Sequence, residues 1–151
     1  MCRWFVYIGE ESTLLEDVLI KPQHAIVKQI AAHFLPNLHL TYDPHLRRKV
    51  YSAGIASDDH GSNHFTNLDG FGVGYYTGVA AEFNHDSVNR PCTYRNIRPP
   101  MNDMNLMALC ANTATNCVFA HVRAGTGMTP PVETNNHPFV FGRYMFMHNG
   151  A

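Results

Sequence analysis

The sequence predicts an α+β domain in which helices pack on a β-sheet. Short runs of β-branched and aromatic residues open the chain and recur near residues 71–76, 117–122 and 144–147, and these residue types favour strands. Residues 21–34 and the segment after Asn102 instead carry apolar residues at three- and four-residue steps, which is typical of helices. A chain of 151 residues has the length of one domain.

The first half is predicted to hold one strand, one helix and one long loop. The opening strand is predicted to end at Gly9, with a polar turn over residues 10–13. Pro22 suits the first position of an amphipathic helix over residues 21–34. Residues 36–67 show little periodicity and predict a loop, for which substrate gating or contact with a partner stays open.

A metal site could be proposed within that loop, from Asp58, Asp59, His60 and His64. The glycine, serine and asparagine between the two histidines spoil a helical presentation of ligands, and zinc sites show tighter geometry than a flexible loop supplies. We therefore expect flexible surface here and no metal.

The second half is predicted to hold four strands and a helix. Apolar residues alternate with glycines over residues 71–76, which predicts a strand whose glycine face another backbone approaches closely. This run lacks the third glycine of a dinucleotide-binding motif, so no nucleotide site is expected. A possible strand over residues 93–97, a helix capped by Asn102 and a buried strand over residues 117–122 follow. Residues 144–147 form one more apolar strand.

The composition argues against several classes of function. The net charge is -1 with histidines neutral, so neither nucleic acid nor an anionic membrane is indicated as a partner. No apolar segment is long enough to span a bilayer, and the N-terminus lacks the pattern of a secretory signal. The 4 cysteines form no CxxC pair, which argues against a zinc site or a disulfide scaffold and suits a reduced compartment. We expect a cytoplasmic protein.

Cys2 is the first candidate for chemistry. An aminopeptidase can remove Met1 when a small residue follows, and Cys2 would then carry a thiol and a free α-amine on one residue. A nucleophile and a base would be combined at the end of a packed strand. The alternative from this position alone is an ordinary small residue after the initiator.

Two strand ends near the C-terminus carry polar groups suited to a substrate. Arg123 follows a buried strand, where a guanidinium could grip a carboxylate with two hydrogen bonds. Asn149 and Gly150 could supply two neutral donors for an oxyanion hole. The alternatives are a surface ion pair for Arg123, a tight turn for Asn149–Gly150 and a simple loop histidine for His137, which precedes Pro138.

The order of the motifs resembles that of the class II glutamine amidotransferases, members of the N-terminal nucleophile hydrolase superfamily. These motifs are MCR at the start, HVRAGTG at a strand end, an NHPF loop and HNG. The resemblance runs from residue 1 to residue 150 and is greatest to a small single-domain branch that also has a DGFG strand. It implies a four-layer αββα sandwich, of which residues 1–151 form the N-terminal part.

The resemblance also implies a role for each matching residue. Cys2 is the nucleophile, and its freed amine is the general base. Arg123 holds the α-carboxylate of the substrate, Thr126 adds a hydroxyl to that contact, and His137 forms part of the pocket wall.

The oxyanion hole in this family corresponds to the side chain of Asn149 and the backbone N–H of Gly150. The implied reaction is hydrolysis of a γ-glutamyl amide through a thioester on Cys2. No metal or organic cofactor is required.

Two departures from the family pattern affect the expected activity. Gly127 stands where many members have a histidine, and the family's aspartate for the substrate α-amine lies downstream of HNG, beyond Ala151. We therefore expect a C-terminally truncated chain with an incomplete fold, poor solubility and little activity by itself.

The family branch guides the choice of substrate and partner. It includes the fungal subunit that removes the γ-glutamyl group from glutathione, so glutathione is expected ahead of free glutamine. That branch also implies a metallopeptidase-like subunit as partner. The alternative function is a truncated, non-catalytic binding or regulatory module with the same fold.

Overall fold

A computed structural model describes residues 2–29, 69–83, 89–125 and 129–149. These parts of the chain consist of strands connected by short helices. In chain order the elements are β1 (Arg3–Leu14), α1 (Leu15–Leu19), β2 (Gly70–Tyr75), α2 (Val79–Phe83), β3 (Cys92–Asn96), α3 (Met104–Asn112), β4 (Ala114–Arg123), β5 (Phe139–Phe141) and β6 (Tyr144–Phe146). Short 3-10 turns lie at Ile26–Lys28, Pro100–Asn102 and Glu133–Asn135.

Four of these strands form an antiparallel sheet in the order β1-β4-β2-β3. β4 is central and pairs with β1 on one side and β2 on the other. Its His121 lies opposite Trp4 of β1 and Gly72 of β2, so these three residues share one face of the sheet. β5 and β6 form a separate hairpin.

The hydrophobic core lies on the other face of the sheet, under α1, α3 and the first 3-10 turn. Alternate residues of β2 and β4 point into it because side chains alternate across a strand. The fully buried members are Leu15, Leu19, Phe71, Val73, Leu106, Cys110, Val118, Ala120 and Val122. Burial of the Cys110 thiol among them raises its pKa to about 12, so Cys110 acts as a small apolar core residue, as expected from its helix face.

The glycines of β2 allow a second segment to pack directly on the sheet. A Cβ added at Gly72 would overlap the backbone carbonyl oxygen of His137, and one added at Gly74 would overlap Pro138 and Met145. The predicted close approach at this glycine face is therefore confirmed. The segment that approaches is His137–Pro138, followed by the β5–β6 hairpin.

The α3 helix begins one residue later than predicted. Asp103, not Asn102, is the N-cap, because its Oδ1 accepts from the N–H groups of Asn105 and Leu106, both at 3.1 Å. Burial acts to raise the pKa of the Asp103 carboxyl, but hydrogen bonds from Tyr94 and the helix N-terminus outweigh it and hold the pKa below its usual value.

Two predictions in the first half are wrong. β1 does not end at Gly9 but continues through the predicted polar turn to Leu14, with an irregularity in pairing between Ile8 and Thr13. Among the described strands it lies at one edge of its sheet, so polar side chains there can face solvent without loss of pairing.

The second wrong prediction is the helix over residues 21–34. No α-helix forms over residues 21–29, the part of that range that the structure describes. The α-helix lies earlier, at Leu15–Leu19, and only a 3-10 turn forms at Ile26–Lys28. Ile26 and Val27 are nevertheless buried in the core, so the apolar spacing marked buried residues and not helical geometry. Residues 30–34 lie outside the described ranges.

The remaining strand predictions are confirmed to within a few residues, for β2, β3, β4 and β6. The loop predicted over 36–67, with its possible metal ligands Asp58, Asp59, His60 and His64, lies outside the described residues. Within the described residues, no helix has both the length and the apolar character needed to cross a membrane.

Candidate active site

Cys2 lies where the start of β1 meets the end of β4. Its Sγ is 3.3 Å from both backbone groups of Ala124: the N–H donates to the sulfur, and the thiol donates to the carbonyl oxygen. Pairing of Arg3 with Val122 aligns the two strands and brings these residues together. Ala124 was not expected from the sequence to contact the thiol, because a backbone contact leaves no signal in residue type.

Arg123, the last residue of β4, is buried with 6% of its surface exposed. Its Nη1 donates to the backbone carbonyl of Pro130 at 3.1 Å. Among the residues that the structure describes, the ion pairs are those of Lys21 with Glu16 and Asp17, and none involves Arg123. The guanidinium therefore places a positive charge in the site with no described carboxylate paired to it.

Both residues line a cavity of about 260 Å³, which is also bordered by Ala124, Gly125, His137 and His148. This volume is near the lower end for small-molecule sites. It is suited to a ligand of amino-acid size, with the Cys2 thiol and the Arg123 guanidinium both at its wall.

His137 reaches this cavity because the glycine face of β2 seats its backbone. Its Nδ1 is 3.2 Å from Nε2 of His121, which is 1% exposed. One nitrogen of this contact must donate and the other accept, so the protonation of one ring fixes that of the other. Neither outer nitrogen, Nδ1 of His121 nor Nε2 of His137, has a hydrogen-bond partner in the described structure.

Both histidines are held neutral. Burial, with a further contribution from His137, lowers the pKa of His121 to about 4 against the opposing effects of the Asn149 side chain and the His148 backbone. The pKa of His137 is also lowered to about 4. Burial is the largest cause, and the positive charges of His148, Arg123 and Arg95 lower it further. At neutral pH the guanidinium of Arg123 thus places a positive charge beside two neutral imidazoles.

Asn149 follows β6 and returns the chain to Cys2. Its Nδ2 donates to the backbone carbonyl of Cys2 at 3.3 Å. The side chain also acts on the His121 ring, so the amide lies between the start of β1 and the interior of β4. A neutral donor is thereby placed beside the thiol-bearing residue.

The structure brings together Cys2, Arg123, His137 and Asn149 of the predicted site residues. Thr126 and Gly150 lie outside the described residues. No group of three or more His, Cys, Asp or Glu side chains arranged to hold a metal ion is found within the described ranges.

Several further residues at or near the site belong to the quoted motifs but received no role from the sequence. His121 lies in HVRA, Asp69 in DGFG and Asn136 in NHPF. Asn136 is fully buried and its Nδ2 donates to the carbonyl of Asn96 on β3 at 3.0 Å, which ties the His137 segment to the sheet. Of these residues, His121 could have been noticed from the sequence, because a polar residue inside an apolar strand is unusual.

No protein-family model matches this chain. The chain is similar to a protein of Saccharomyces cerevisiae (strain ATCC 204508 / S288c) named "Probable glutamine amidotransferase DUG3", with 34% identity over 152 residues. The match covers 100% of this chain and 34% of that protein, so the chain spans about a third of the length of the curated relative.

Proposed function

We propose that this protein is a class II glutamine amidotransferase-type hydrolase that cleaves γ-glutamyl amides with Cys2 as an N-terminal nucleophile. One observation carries the proposal: the Cys2 thiol and the Arg123 guanidinium border the same small cavity, and the Asn149 amide contacts Cys2. A nucleophile, a cation for a carboxylate and an oxyanion donor are the groups that such a cleavage requires. The similarity to a probable glutamine amidotransferase supports the same assignment.

The reaction begins after removal of Met1, which frees the α-amine of Cys2. The amine accepts the thiol proton as the sulfur attacks the γ-carbonyl carbon. The proton passes to the leaving nitrogen as the C–N bond breaks, which leaves a γ-glutamyl thioester on Cys2. Water then adds to the thioester, the C–S bond breaks, and glutamate and the free thiol are released.

The other groups act on the substrate at two points. Arg123 binds the α-carboxylate, since its charge is unpaired by any described carboxylate and its planar donors match two oxygens. The Asn149 amide stabilises the oxyanion, together with the backbone N–H of Gly150. His137, neutral at pH 7, forms the wall between these points without adding charge. Thr126 adds a hydroxyl to the carboxylate contact.

We also propose that the domain is an N-terminal nucleophile αββα sandwich. Supporting this, helices cover one face of the main sheet, and the β5–β6 hairpin lies against the other face at Gly74. The hairpin would then belong to the second sheet. Its exposed aromatic residues, Phe141 and Tyr144, would be covered by further strands of that sheet.

Glutathione is the preferred substrate in this proposal, ahead of free glutamine, and cleavage would release Cys-Gly instead of ammonia. A metallopeptidase-like subunit is the proposed partner, because it could consume that dipeptide. Both assignments come from the family resemblance.

The test uses the product of the complete reading frame, incubated separately with glutathione and with glutamine. Glutamate release from glutathione, with Cys-Gly as the second product, is expected. C2A should abolish release, whereas C92A, which removes an exposed thiol outside the cavity, should retain it.

Each other outcome has a defined meaning. Release from glutamine alone would reject the glutathione preference. Equal loss in C92A would reject the assigned nucleophile. Binding of a γ-glutamyl compound without glutamate release, with Met1 retained, would favour the non-catalytic binding module.

A further inference from the structure

We propose that Asp69 is a positioning residue that fixes the two peptides flanking Ala124 against the sulfur of Cys2. This inference rests on the proposed function, because it assigns Asp69 a part in orienting the nucleophile. Asp69 stands immediately before β2 and is absent from the lining of the cavity. It would therefore act through the backbone and without touching the substrate.

The evidence is a pair of hydrogen bonds that enclose Ala124. The Asp69 backbone N–H donates to the carbonyl of Arg123 at 3.2 Å, and its Oδ2 accepts from the N–H of Gly125 at 2.6 Å. One residue thus holds the chain on both sides of Ala124. The second bond is short, as expected for a charged acceptor.

This support is needed because the sheet ends before Ala124. The last pairs of β4 are Arg3 with Val122 and Gly70 with Arg123, so neither neighbouring strand holds the two residues beyond. Either peptide beside the Ala124 Cα could otherwise rotate and withdraw the N–H or the carbonyl of Ala124 from the thiol. The backbone N–H of Asp69 holds the Arg123–Ala124 peptide, which carries the Ala124 N–H, and its carboxylate holds the Ala124–Gly125 peptide, which carries the Ala124 carbonyl.

Ala124 matters because its N–H and its carbonyl, which belong to two successive peptides, both contact the sulfur. When the thiol loses its proton, the bond to the carbonyl is lost and the N–H becomes the donor to a thiolate. The same bond also fixes where the sulfur points, and misplacement of a nucleophile by about 1 Å can cost a hundredfold in rate.

The experiment compares D69A, D69N and the control E10A in the product of the complete reading frame. D69A removes the acceptor for Gly125, whereas D69N keeps an oxygen that can accept the same bond. E10A removes one exposed carboxylate from β1. With glutamine or glutathione, D69A should lower kcat about ten- to a hundredfold, the loss expected for a hydrogen bond to a charged group.

The KM should change less than about threefold in D69A, because the Arg123 guanidinium is intact. D69N should restore kcat to within about threefold of wild type, and E10A should match wild type. Hydrogen exchange of the Gly125 amide should be about tenfold faster or more in D69A and close to wild type in D69N, with the amide of Ala120 in β4 as an internal reference.

Unchanged kcat or unchanged Gly125 exchange in D69A overturns the inference. So does a raised KM shared by D69A and D69N, which would mean that the carboxylate binds substrate. Absence of turnover in the wild type would instead reject the proposed function, and the exchange measurement would still decide whether Asp69 holds the peptide.

Discussion

Substitution of Gly72 by alanine tests whether the glycine face of β2 positions His137. The added Cβ would lie 3.0 Å from the carbonyl carbon of His137, closer still to its carbonyl oxygen, and 3.4 Å from Cγ of Arg95. The Arg95 side chain can move, but the His137 carbonyl belongs to a backbone tied to β3 through Asn136. The segment must therefore shift, or the sheet must distort.

The expected cost is that of overpacking a closed site, about 1–3 kcal/mol. For a chain of this length, about 2 kcal/mol corresponds to a decrease in Tm of roughly 4–8 °C. Displacement of His137 would also reduce its burial, so its pKa should rise from about 4 towards the ordinary value of about 6.5.

Urea unfolding gives the free energy, and proton NMR of the histidine rings gives the titration of His137. G78A is the matched control, because a Cβ there meets nothing within 4 Å. It should change stability by less than about 1 kcal/mol, in the stabilising direction if the alanine restricts the unfolded chain. Equal stability of G72A and G78A, with an unaltered His137 titration, would refute the proposed seating of His137.

Three further predictions concern the cap, the histidines and the substrate carboxylate. D103A should lose about 1–2 kcal/mol in urea unfolding because it removes the α3 cap, and D103N should lose less; equal losses would contradict the capping role. His121 and His137 have depressed pKa values in the folded state. Below the ordinary histidine pKa of about 6.5, the unfolded chain therefore binds more protons than the folded protein. Stability should therefore fall by about 2 kcal/mol per histidine between pH 7 and pH 5, with no further histidine contribution below about pH 4. H121N should reduce this pH dependence, and an unchanged slope would contradict the assignment. R123K should raise KM for a γ-glutamyl substrate about tenfold, because an ammonium lacks the paired donors; an unchanged KM would place the carboxylate elsewhere.

The strands could be predicted because their residues satisfy local and tertiary preferences together. Alternating Phe71, Val73 and Tyr75 fill the core, and the glycines between them accept another segment. The sequence showed that a backbone would approach but could not identify His137, which is 65 positions away from Gly72 in the chain. Such long-range pairing depends on the assembled sheet.

The failures have local causes. The segment Glu10–Thr13 looked like a turn because it is polar, yet a strand can carry polar residues, and its pairing with β4 resumes at Thr13. Ile26 was assigned to a helix because apolar spacing signals burial, and burial is also met in a 3-10 turn.

The candidate site was predicted in part. Cys2, Arg123 and His137 line one cavity, and Asn149 contacts Cys2, as the motif order implied. Asp69 escaped notice because its role depends on a hydrogen bond to a backbone N–H 56 residues away, and nothing in the residue type of Gly125 records that contact.

The most direct measurement of the central claim is mass spectrometry of the protein after brief exposure to a glutamine-like electrophile. The proposal predicts that Met1 is absent and that the label lies on Cys2, while the exposed thiol of Cys92 stays unmodified. An excess of glutamine should protect Cys2, and iodoacetamide should modify Cys92 as a control for thiol reactivity. Label on Cys92 with Cys2 untouched, or an intact Met1 on the labelled chain, would contradict it.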